Sequence, residues 1–131
     1  MKILHYLNFV FVLLVLIGIC VAEEVVVSGS LSQAQTSCLK IEKLIDEKGT
    51  LKDMEVVLAV DNLEFDWTED EKKLCYMVNH KSVQEIGEEI ARLKMYISDD
   101  KVEDFKVSIH QIKLHCHAYL HFMGANMHNV L

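Results

Sequence analysis

No proline occurs anywhere in the 131 residues. A chain without it is nowhere forced to break a helix, since only proline both removes the backbone donor and clashes with the preceding turn. Apolar residues then recur at helical spacing along most of the length. Ala34, Cys38, Ile41 and Ile45 form one stripe, and Val83, Ile86, Ile90, Leu93 and Ile97 a second. Phe105, Ile109, Ile112, Cys116, Tyr119 and Met123 form a third. Steps of three and four place each set on one helix face. Between the first two lies Phe65–Asn79, where Thr68 and Glu71 have the spacing of a capping box and Glu69 and Asp70 suit a first turn. That reading starts a helix at Thr68, with Leu74, Met77 and Val78 inward and Cys75 at the core edge. Asp61–Glu64 reads as the loop before it.

The shorter signals complete an all-α expectation. Val25–Val27 suits a short extended arm, ended by Ser28-Gly29-Ser30. Gly49 after Lys48 suits a helix stop, and Thr50 with Asp53 suits a cap for a short helix with Leu51, Met54, Val57 and Leu58 inward. Gly87 inside the second stripe costs about 1 kcal/mol against alanine and marks a close approach of another element. Ser98-Asp99-Asp100 makes a turn, and Gly124 is the expected end of the last helix. The architecture predicted is a compact bundle of five to six helices.

Residues 1–22 read as a leader to be removed. Lys2 gives a basic start, Leu7–Ile19 is almost unbroken apolar sequence, and Cys20-Val21-Ala22 has the small residues of a cleavage site before Glu23-Glu24. The competing reading, an uncleaved anchor, has a strictly apolar run short of the ~20 residues of a span. Cleavage is the reading this pattern favours: residues 23–131 form one secreted domain, with no stable membrane association. The net charge of −7 argues against nucleic acid and anionic lipid surfaces as partners.

Chemistry is sparse. His117 and His121 are four apart, the spacing of a two-histidine metal site on a helix. Yet Lys106, His110, Lys113, His117 and His121 trace a face opposite the apolar stripe, where solvent and lysine charge oppose a cation. A pH response suits these imidazoles better than a metal. No nucleophile motif, phosphate loop or zinc-type cysteine pair is present, so no catalytic residue, cofactor or metal is expected. Bulky, adaptable apolar residues offer the better lead. Met54, Leu58, Phe65, Trp67, Met77, Ile90, Ile112, Tyr119 and Met123 are candidates to line a ligand cavity, methionine suiting irregular guests. The same residues would also fill an ordinary core.

The order of these features resembles the insect odorant-binding protein family, of pheromone- or general-odorant-binding type. The resemblance rests on Cys38 on an early helix, Glu47-Lys48-Gly49-Thr50, Phe65, the segment Lys72-Lys73-Leu74-Cys75-Tyr76, and Cys116 after a long gap. It implies a six-helix or near-six-helix fold around a hydrophobic cavity. The function implied is carriage of small hydrophobic molecules (odorant, pheromone or lipid-like) through extracellular fluid, without catalysis. Asn79 stands where the family's third cysteine falls, and Ala125, Asn126 and Met127 occupy the region of its last two. Of the four cysteines, Cys20 leaves with the leader, so each of the other three lacks its family partner. Two outcomes stay open: Cys38 re-paired with Cys75, the favoured one, with Cys116 free and buried; or a bundle held by its core alone. The odd cysteine would also allow a disulfide-linked homodimer. The alternative function is a secreted helical effector or venom-type protein acting by protein–protein contact.

Overall fold

A computed structural model describes the backbone of residues 1–128 and the side-chain surroundings of residues 1–123, and the described residues form four helices and three short connections. They are α1 (Lys2–Lys48), α2 (Met54–Leu74), α3 (His80–Asp99) and α4 (Val102–His128). Among the described residues there is no strand. The all-α expectation holds, with four long helices in place of five or six.

The difference comes from continuity where local signals suggest breaks. Val25–Val27 is helical, and α1 runs unbroken for 47 residues with Val27 already in the core. Asp61–Glu64 is the middle of α2, held there because Leu63 points inward. Thr68 caps nothing. Its hydroxyl donates to the carbonyl of Glu64 one turn back at 2.8 Å, which satisfies it inside a helix. The last helix passes Gly124 without stopping.

Other ends match the chemistry read for them. Gly49 ends α1 at φ 71°, a left-handed conformation that costs glycine little. Asp53 caps α2 by accepting from the Glu55 N–H. Asn79, not read as a cap in the sequence, caps α3 by accepting from the Lys81 N–H. Asp100 closes α3 at φ 51°. Its carboxylate also accepts from the Leu51 N–H at 3.0 Å and the Thr50 hydroxyl at 3.3 Å, so the α1–α2 and α3–α4 connections are clasped at one end of the bundle.

The helices pack as a square, each against its neighbours in sequence and α1 also against α4. Cross-helix pairs fix the directions. Gln33 reaches Asp66 and Lys48 reaches Glu55. Lys94 lies between Asp61 and Glu64, and Ser108 donates to Glu89. Lys106 meets Asp46, and Lys113 meets Glu42. In the pairs joining α1 to α2 and α1 to α4, one number rises as its partner falls. The same holds from Gly87 against Trp67 to Lys94 against Glu64, and from Ser108–Glu89 to His115–Glu85, so adjacent helices are antiparallel. This is the up-down-up-down bundle that short connections favour.

One buried cluster runs the length of the square. It takes Val27, Leu31, Ala34, Cys38, Ile41 and Ile45 from α1, and Val56, Val60, Leu63, Trp67 and Leu74 from α2. Val83, Ile86, Ile90 and Leu93 come from α3, and Phe105, Ile109, Ile112 and Cys116 from α4. The three stripes read from the sequence are thus the inward faces of α1, α3 and α4. On α2 the phase differs from the expected one. Met54 and Leu58 lie on the outer face, and Val56 and Val60 take their place inside.

Residues before Val27 stand outside the square. From Ile3 to Val21 the side chains of α1 are exposed, and apart from His5 and Asn8 near its start they are apolar on every side of the helix. Only Lys2 and the pair Glu23-Glu24 put full charges at the ends of this stem.

Candidate functional site

The nine cavity candidates do not gather around one hollow. Trp67, Ile90 and Ile112 are buried in the core, and Tyr119 and Met123 lean on its edge. Met54, Leu58 and Phe65 are 70%, 52% and 68% exposed, in one row on the outer face of α2. Eleven residues separate Met54 from Phe65, so the row is roughly 16 Å long at about 1.5 Å per residue.

Among the described residues the interior is filled. A void of about 10 Å³ lies between Val27, Leu31, Trp67, Leu74, Ile86 and Tyr119. A second of about 10 Å³ lies beside Ser30, Ala34 and Leu63. Each has room for about one water, against the ~300–1,000 Å³ of small-molecule sites. The more suggestive space is an open groove of about 240 Å³ where the stem leaves the bundle. Cys20, Glu23, Glu24 and Val27 of α1 form one wall, and Met77, Val78, Tyr119 and Met123 the other. Three cavity candidates meet there: Met77, Tyr119 and Met123.

Trp67 shows why Gly87 is glycine. A Cβ added at Gly87 would stand 3.3 Å from the indole Nε1, so α2 and α3 approach through this one position. The close packing read from Gly87 is present. The same Nε1 is buried with no acceptor within reach, a polar group left unpaired by the fit.

The imidazoles of His117 and His121 stack with centroids 6.4 Å apart on the outer face of α4. Among the described residues no three His, Cys, Asp or Glu side chains converge as a metal cage requires. His128 has its side chain outside the described residues. His115 faces Glu85 of α3 at 3.7 Å, a contact the sequence does not disclose.

All four cysteines are free thiols. The expected Cys38–Cys75 bridge is corrected by helix register. Gln33 lies opposite Asp66 and Lys48 opposite Glu55, which sets Cys38 level with about residue 62 of α2. Cys75 lies about 13 residues further along, roughly 19 Å at the helical rise. A disulfide needs its Cα atoms within about 7 Å. Cys116 is buried, as expected. Burial pushes the thiols of Cys38 and Cys116 up to about 12.

These features define an antiparallel four-helix bundle carried on an apolar helical stem. The profile of a family described as Domain of unknown function (DUF4363) matches residues 35–130, and the chain belongs to that family. No curated protein and no solved structure matches the chain. The matched span begins within the bundle part of α1 and omits the stem.

Proposed function

We propose that the chain is a membrane-tethered helical module, whose bundle stands on the outer face of a membrane and acts by contact with another protein, without catalysis. The observation that carries this is the continuity of α1. The stem enters the bundle as one helix, with Glu23 only four residues before Val27 of the core. A helix apolar all round needs an apolar surrounding. Residues 3–22 measure roughly 30 Å at about 1.5 Å per residue, the thickness of a bilayer's hydrocarbon core. Here the whole helix, and not only the strictly apolar run, sets the length. Lys2 on the short end favours an inside N-terminus. The row Met54, Leu58 and Phe65 supplies bulky apolar surface for contact, and the filled interior favours a surface role over enclosure of a guest.

Fractionation of cells making the full chain, detected by an antibody raised against the bundle, tests the tether. The expected result is a chain of undiminished mass that stays with membranes through an alkaline carbonate wash. A soluble chain beginning at Glu23 would overturn it and leave the secreted reading standing.

One observation favours a second reading, carriage of a small hydrophobic ligand: the groove beside Met77, Tyr119 and Met123. Burial there would contribute about 25 cal/mol per Å² of apolar surface. Under that reading a fluorescent fatty acid binds saturably, is displaced by terpenoids or aromatic volatiles, and loses affinity in Tyr119→Ala. Under the contact reading no saturable binding is expected.

A further inference from the structure

Two of the cysteines that the groove and stem leave unused lie on the inward faces of neighbouring helices. Cys38 belongs to the inward stripe of α1 and Cys116 to that of α4, and neither exposes any surface. Their level is set by the pairs around them. Lys113 Nζ binds Glu42 at 2.6 Å, and the Lys113 carbonyl accepts from the Gln35 side chain at 3.4 Å. Residue 113 thus lies opposite the stretch between 35 and 42, in which Cys38 sits. Cys116 follows Lys113 by less than one turn. The pair Lys106–Asp46 extends the same antiparallel register and puts Cys38 opposite about residue 114.

Helix axes in such a bundle lie about 8–10 Å apart, with each Cα about 2.3 Å off its axis. Facing Cα atoms are then separated by roughly 3.5–5.5 Å, and the stagger of about two residues (about 3 Å along the axis) brings Cys38 and Cys116 to roughly 4.5–6 Å, inside the range a disulfide spans. After the larger effect of its own burial, the Cys38 thiol is pushed up by Cys116 and by Glu42 and drawn down by Lys113, two of these three groups lying on α4.

We infer that Cys38 and Cys116 are a disulfide-forming pair, closed while the bundle assembles on the outer side of the membrane. The setting rests on the tethered reading; the pairing itself rests on the register. One thiolate attacks a sulfur of a disulfide oxidant, such as oxidised glutathione or an oxidised protein dithiol, forming a mixed disulfide and releasing one thiol. The second cysteine's thiolate then attacks the protein sulfur of that mixed disulfide and releases the other. Two electrons pass from the cysteine pair to the oxidant, and the two cysteine protons end on the released thiols.

Timing follows from burial. Thiols pushed up to about 12 are almost wholly protonated at neutral pH, and no surface admits an oxidant. The exchange therefore precedes closure of the α1–α4 seam, and the finished bond is shielded from reductants. It ties the first helix to the last across a loop of about 78 residues, long enough for a large constraint on the unfolded chain.

The test refolds the full chain from denaturant in detergent, once with oxidised and reduced glutathione and once with excess reductant. Remaining thiols are alkylated after denaturation and the peptides mapped without reduction. The expected map has a Cys38–Cys116 linked peptide with Cys20 and Cys75 alkylated. The oxidised chain is expected to melt about 10 °C or more above the reduced one. Cys75→Ser keeps the linked peptide and Cys116→Ala loses it. A map in which Cys38 and Cys116 are both alkylated after oxidative refolding overturns the pairing, as does a bridge that includes Cys75. An oxidised chain melting no higher than the reduced one does the same. None of these outcomes depends on whether the stem is retained, which fractionation decides separately.

Discussion

Phe105→Ala is expected to remove about 3–5 kcal/mol of stability, a loss that no truncation on the outer faces of the bundle approaches. Phe105 is the largest fully buried side chain of the core and sits in the first turn of α4, the helix that packs against both α1 and α3. Removing the ring forfeits its transfer from water and leaves a hole in a core whose other helices are pinned by cross-helix ion pairs, so collapse around it is incomplete. Phe65→Ala makes the same chemical change on the outer face of α2. With 68% of that residue exposed, the expected change is within about 0.5 kcal/mol. Urea unfolding of the full chain in detergent, followed through the emission of the single tryptophan, measures both. A large loss at Phe65 with little at Phe105 would mean that α2 and α4 turn other faces inward.

Gly87→Leu is expected to cost about 1–3 kcal/mol and to shift the Trp67 emission toward the red. The branched side chain would enter the space held by the indole, already 3.3 Å from the position of a first carbon. Trp67 must then tilt toward the surface, or α2 and α3 must separate. Gly87→Ala sets two effects of similar size against each other. Alanine gains up to about 1 kcal/mol of helix propensity, while its methyl presses on the ring. The expected result is a change of less than about 1 kcal/mol with unshifted emission. A leucine variant as stable as the parent, with the tryptophan still blue, would show that no close approach exists at this position.

How far the fold is legible depends on which signal is weighed at each join. The stripes on α1, α3 and α4 are legible because a buried face repeats at three and four regardless of what surrounds it. Thr68 with Glu71 misleads, because a threonine hydroxyl is satisfied by a carbonyl one turn back as readily as by a free N–H. The absence of proline is the better guide there, together with Leu63, which carries the inward stripe of α2 through the Asp61–Glu64 stretch. On α2 the bulky residues Met54, Leu58 and Phe65 form a helical row as regular as Val56, Val60, Leu63 and Trp67. Periodicity cannot say which row faces in, and side-chain size points to the outer one. The groove and the cysteine register lie beyond periodicity altogether, since both depend on how far one helix is slid along another. Gly87 is the one local mark of such a relation, a small residue in a row of large ones.

The Asp100 clasp and the antiparallel order together decide which ends of the molecule are neighbours. Both clasped connections sit at the far end of the bundle, so the last turns of α4 descend beside the base of the stem. A peptide inserted near Lys52, exposed at the opposite pole, would stand clear of it and report on the upright bundle without touching its foot.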